Sequence, residues 1–127
     1  MINNEVKDKA IGTLKKILQL FHEKRFGDIL SVVSKSKIEN PEEFLSEFMQ
    51  GTLELNNFDT IDEYGEPCSF KPKYEYSQLQ FYEYDNSFVI EYAMTSNSDL
   101  VDMVLQLEFL YMDNGKIESV FVNVEPQ

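Results

Sequence analysis

The sequence predicts an α+β domain in which N-terminal helices pack on an antiparallel sheet of four to five strands. Two observations carry that prediction. Apolar side chains in the first 55 residues recur at helical spacing, whereas residues 79–124 hold four apolar-rich runs parted by short polar breaks: Leu79–Tyr84, Phe88–Met94, Val101–Met112 and Ile117–Val124. In the third run Leu105, Leu107, Phe109 and Tyr111 alternate with Gln106 and Glu108, the period of a half-buried strand. Helices grouped ahead of strands, rather than interleaved with them, separate α+β from α/β. A chain of 127 residues is one domain, with helices at about 5–25, 26–33 and 41–53, a loop with an edge strand at 56–73, and the sheet at 74–124.

Taken in order, Ala10, Leu14, Ile17, Leu18 and Phe21 form the stripe of an amphipathic first helix whose lysines lie off that stripe. Phe26 to Val33, carrying Ile29, Leu30 and Val33, reads as a short second helix, and Ser34-Lys35-Ser36-Lys37 breaks the pattern. Asn40-Pro41-Glu42-Glu43 is the clearest local signal. Asn40 can cap, Pro41 suits the first helical position, and Glu43 completes a capping box. The helix that follows buries Phe44, Leu45, Phe48 and Met49, and weakens around Gly51. Between Asn56 and Lys73 the glycine, prolines and acids predict a mobile loop, in which Phe58, Ile61 and Tyr64 place a short edge strand. Asn114-Gly115 supplies positive φ for a tight turn, so the last two runs pair antiparallel.

Composition is that of a soluble globular protein, with 43% apolar and 27% charged residues. No apolar run approaches the roughly 20 residues needed to span a bilayer, so no membrane partner is expected. The N-terminus lacks the basic-then-apolar order of a secretory signal. The single cysteine, Cys68, cannot form an internal disulfide, which agrees with a reducing compartment and a cytoplasmic location.

Charge is the unusual quantity. The formal net is −12, unevenly spread: residues 1–25 hold six basic side chains against three acids, a balance of +3, and the remainder holds five against twenty, a balance of −15. Such a field repels phosphate backbones, arguing against nucleic acid, and attracts a basic protein partner. It also serves simply to keep a small domain soluble.

With the long first helix, the short helix Phe26–Val33, the helix from Pro41 and the terminal hairpin Leu105–Tyr111…Asn114–Phe121, the chain resembles the nuclear-transport-factor-2-like superfamily in element order. The resemblance covers nearly the whole chain and rests on no invariant motif. It implies a strongly bent sheet wrapped around the helices as a cone. The superfamily's ketosteroid isomerases use an aspartate base and a tyrosine donor inside that cone, and no position here matches such a motif one for one. Tyr92, Asp102, Glu108 and Tyr111 have suitable chemistry for a cone pocket that binds or isomerises a small apolar ligand. The alternation, however, places Glu108 opposite Tyr111.

Catalytic candidates are few, and none is singled out. His22, the only histidine, is readable as a base, as a helix-end cation or as a boundary residue. Cys68 has no local signature of an activated thiol. No cofactor is implied, because phosphate-loop glycines are absent, and no metal site, because Asp59, Asp62, Glu63 and Glu66 lack the spacing of a calcium loop. The tyrosines point elsewhere. Tyr74, Tyr76, Tyr82, Tyr84, Tyr92 and Tyr111 lie on or beside expected strands, interleaved with Glu75, Glu83, Asp85 and Glu91. Tyrosine gives large contact area at low entropy cost, although aromatic residues also favour strands generally. The first reading is thus a non-enzymatic, acidic protein-binding domain that uses Tyr82, Glu83, Tyr84 and Glu91, with Asp59, Asp62 and Glu63, to hold a basic partner. Its specific form is an immunity or antitoxin-type inhibitor. Homodimerisation through one sheet face is compatible with either reading.

Overall fold

The computed structural model describes residues 3–64 and 78–126. Helix α1 spans Asn4–His22; its start is fixed by Asn3, whose side-chain oxygen accepts the Val6 N–H at 2.8 Å. All five residues of its apolar stripe are fully buried. Lys24, at φ 59°, turns the chain out of α1 three residues earlier than the sequence suggests. The second helix is a 3-10 helix, Phe26–Ser31, in which Phe26 and Ile29 are buried and Leu30 points outward at 45% exposure. A three-residue turn sets Phe26 and Ile29 on one side, and the Phe26 ring meets Phe21 at 5.5 Å.

Lys35–Ser36 forms a short strand, β1, where the Ser-Lys alternation suggests only a break. Helix α2 follows, Pro41–Leu55, and runs through Gly51 without interruption. Its capping box is not made: Asn40 sits in the left-handed region at φ 52°, and its side chain makes no cap hydrogen bond. Pro41 still opens the helix, and Leu45, Met49 and Leu53 form its buried stripe. Residues 58–64 contain no strand, so the described part of the expected edge strand is irregular chain; Gly65–Ser77, with Cys68, Tyr74 and Tyr76, lie outside the described residues.

Four strands complete the chain: β2 (Leu79–Glu83), β3 (Ser87–Ser96), β4 (Asp99–Tyr111) and β5 (Ile117–Pro126). The sheet order is β1-β5-β4-β3-β2. The last four strands are antiparallel, but β1 lies parallel to β5, so the sheet is mixed rather than purely antiparallel. The fold class is α+β, and the sheet is not closed.

Register sorts the side chains into rows. Phe81, Ile90, Leu107 and Phe121 form one row across four strands, on the face covered by the helices. One residue along, Gln80, Glu91, Gln106 and Asn123 form a row on the opposite, outer face, and Tyr82, Val89, Glu108 and Val120 form another. Phe21, Phe88, Phe109 and Phe121 are fully buried between helices and sheet, with Phe88 stacked on Phe109 at 5.1 Å. The β4–β5 turn is a three-residue loop: Met112 N–H donates to Lys116, Gly115 N–H to Met112, and Gly115 alone takes positive φ, at 76°. Among the described residues no helix is long and apolar enough to cross a membrane.

Candidate functional site

The outer sheet face carries four glutamates whose surroundings differ. On its β1 side Lys37 pairs with Glu108 at 3.0 Å and Lys35 with Glu118 at 3.2 Å. Both lysines reach that face because β1 runs parallel to β5, with Lys35 opposite Val120. Ser87 adds a hydroxyl donor to Glu108 at 3.0 Å. Here the acids are neutralised.

Farther from the β4–β5 turn, toward the end of β5, they are not. Glu91 on β3 and Glu125 on β5 flank Gln106 on β4, whose amide Nε2 donates to Glu91 at 2.7 Å and to Glu125 at 3.4 Å. Neither carboxylate has an ion-pair partner among the described residues. Asn123 holds Glu125 from the other side at 3.2 Å. The three side chains line an open groove of about 370 Å³ with Gln80, Tyr82 and Val104. The Tyr82 hydroxyl donates to Gln80, leaving a ring 40% exposed beside the acids. Two carboxylates held apart by one amide keep most of their acceptor positions open, which suits a guanidinium or ammonium group. An exposed aromatic face favours the same cation and its apolar stem.

Other residues expected at a partner surface are placed elsewhere. Glu83 shares the inner row of Phe88 and Phe109, so it sits on the opposite face from Tyr82. Tyr84 lies just beyond β2 and is 59% exposed. Asp62 is structural: its carboxylate accepts the Thr95 hydroxyl at 2.8 Å, the Asn97 N–H at 2.9 Å and the Ser98 N–H at 2.8 Å. Asn97 and Ser98, both at positive φ, form the two-residue turn between β3 and β4, and the acid satisfies its amides. Asp59 is exposed and 4.0 Å from Lys24, while Glu63 lies beside Lys15 and Tyr64. Thr95, Asp62's partner, is six residues along β3 from Val89, the residue opposite Tyr82, roughly 20 Å in an extended strand. The two acidic groups are therefore not one surface.

His22 fastens the same segment. Its Nδ1 lies 2.8 Å from the Ile61 carbonyl, which can only accept, so Nδ1 carries the proton. With Ile61 fully buried, residues 58–64 are strapped across the end of the sheet, where sequence suggests a mobile loop.

The four pocket candidates do not converge. Tyr92 faces the helices, with its ring 5.7 Å from Tyr64 and its hydroxyl accepting from Gln78. Tyr111 also faces inward, with a buried hydroxyl that has no hydrogen-bond partner among the described residues. Burial, and then the Glu83 carboxylate, push its phenol above the ordinary tyrosine value. Asp102 is exposed at a bulge, and Glu108 is held on the outer face by Lys37 and Ser87. Among the described residues no group of three or more His, Cys, Asp or Glu is close enough to hold a metal ion.

Sequence reasoning missed Gln106 and Glu125. The signal for Gln106 was its alternation with Leu105 and Leu107; Glu125 becomes legible only once the bulge between Gln106 and Leu107 sets the β4–β5 register. Residues 18–126 match the model of a family described as a domain of unknown function (DUF7668), which is most of the chain, and the chain belongs to that family. No curated protein and no solved structure matches it.

Proposed function

We propose that this DUF7668 chain is a non-enzymatic binding domain that holds a basic protein partner against the outer face of its sheet. The observation that carries the reading is the Glu91–Gln106–Glu125 arrangement: two carboxylates oriented by one amide, with no cation paired to either among the described residues. Paired lysines already serve Glu108 and Glu118, so among the described residues of this face the uncompensated acids are Glu91 and Glu125. Such a groove accepts an arginine or lysine side chain and speeds encounter with a basic surface. An inhibitor of the immunity or antitoxin type, which covers the cationic site of its target, is the form we favour. The nuclear-transport-factor-2-like resemblance supports the scaffold by element order alone.

The experiment is an affinity capture from source lysate at low salt, eluted with a salt gradient, run in parallel with wild type and with Glu91→Gln/Glu125→Gln. A strongly basic protein held by the wild type and eluting about tenfold more readily from the variant is the expected result. Identical capture by both proteins would remove the groove from the reading.

A further inference from the structure

A second groove, of about 290 Å³, lies between the C-terminal half of α2 and the start of β4. Its apolar walls are Phe48, Phe58, Val101, Met103 and Pro126, with Thr52 and Asn56 beside them, and among the described residues the only charged side chain lining it is Asp102. Phe48 and Phe58 are only half-buried, so aromatic surface is left to solvent. Asp102 takes φ 57° inside β4, at the bulge where the β3–β4 register shifts between Ala93 and Thr95. Aspartate tolerates that conformation better than most residues, and the bulge brings the carboxylate to the groove. Its side chain makes no hydrogen bond or ion pair among the described residues.

Pro126 lines this groove and also the acidic one, and Met103 and Val104 pair with Pro126 and Glu125. The two grooves thus meet at Pro126, the one beside α2 lined largely by apolar side chains and the other by acids. Asp102 and Gln106 are four residues apart on β4, roughly 13 Å in an extended strand. We infer that this surface takes one extended segment of a basic partner. The segment's aromatic or aliphatic side chain fills the α2–β4 groove, and an arginine about three to four residues away enters between Glu91 and Glu125. Charge complementarity selects the occupant, because among the described residues Asp102, Glu91 and Glu125 are the charged groups lining the two grooves and no basic side chain lines them. This rests on the binding reading above and adds to it the partner's local sequence chemistry.

The test uses the full chain, isotopically labelled, titrated with the capped hexapeptide acetyl-Gly-Phe-Ser-Ser-Arg-Gly-amide and with its Phe→Ala and Arg→Gln forms, followed by amide chemical shifts. The parent peptide should perturb Phe48, Phe58 and Val101 together with Glu91, Gln106 and Glu125. Each altered peptide should bind about tenfold more weakly and lose one set of shifts. Asp102→Asn, which keeps a residue tolerant of positive φ, should weaken the parent peptide alone or with Phe48→Ala. Should Phe48→Ala misfold, Thr52→Arg blocks the groove from its wall.

Shifts confined to Glu91, Gln106 and Glu125 and indifferent to the phenylalanine would overturn the inference while sparing the acidic groove. Shifts confined to the α2–β4 groove and indifferent to the arginine would remove the acidic-groove reading and the two-part segment with it. An absence of shifts at millimolar peptide would overturn both.

Discussion

Two rows of the sheet, one residue apart, live in different worlds. Phe81, Ile90, Leu107 and Phe121 are roofed by helices, while Gln80, Glu91, Gln106 and Asn123 have no helix over them among the described residues. The covered face is held by packing, where every atom removed is felt. Among the described residues the other face is held largely by polar bonds, which makes it the candidate for recognition. Acidity alone does not mark the difference, because Glu108 and Glu118 share the open face with Glu91 and Glu125 and are already neutralised. What distinguishes the candidate site, among the described residues, is acid without a paired cation.

The largest effect should come from breaking the covered face. Phe88 is fully buried, stacked on Phe109 at 5.1 Å, and touches Phe81 and Tyr111 at 6.4 and 5.7 Å between ring centroids. Phe88→Ala opens a cavity that three rings cannot close, with an expected loss of about 3–5 kcal/mol in urea unfolding. A loss below about 1 kcal/mol would show that the aromatic cluster repacks freely.

Sorting of the two faces was legible in sequence because a strand's period of two is rigid. Leu105, Leu107 and Phe109 could be assigned inward without coordinates, and all three are fully buried. The same alternation, applied to Tyr82 and Glu83, would have divided them; grouping them by chemistry did not. Elements whose stability comes from elsewhere were less legible. Strand β1 is two residues long and exists because β5 offers Ser119 and Phe121 carbonyls to the Ser34 and Lys37 amides. The capping box at Asn40 failed because the preceding chain enters with that residue left-handed, which is a tertiary demand. The cation-poor groove depends on which lysine reaches which glutamate, and that follows from the parallel pairing of β1.

Asp62 is a sharper case, since it carries the chemistry of a binding acid and does the work of a brace. Removing it in Asp62→Ala leaves the Thr95 hydroxyl and the Asn97 and Ser98 amides without their acceptor. The turn amides regain water, so the expected loss is about 2–3 kcal/mol rather than the sum of three charged bonds. Hydrogen exchange should show the Asn97 and Ser98 amides opening before the β4 core. If Asp62→Ala instead weakened partner capture with the melting point unchanged, Asp62 would belong to the interface after all.

Tyr111 gives the smallest expected effect and the finest test of the covered face. Its hydroxyl is buried without a hydrogen-bond partner among the described residues, an arrangement that costs stability, so Tyr111→Phe should raise it by about 1 kcal/mol at neutral pH. The gain should grow in alkali. Burial first, and the nearby Glu83 carboxylate second, raise the phenol's pKa above its ordinary value of 10.0 in the folded protein. Below that value folded and unfolded chains both keep the proton, and the group adds no pH dependence. Above it the unfolded chain gives up a proton that the folded chain retains, so stability falls as pH rises through the folded pKa. The other tyrosines are common to both proteins and cancel in the difference. Urea unfolding of wild type and Tyr111→Phe at pH 8 and pH 11 therefore decides the point: a gap that widens with pH places Tyr111 on the dry side of the sheet, and a constant gap would mean that its hydroxyl reaches water.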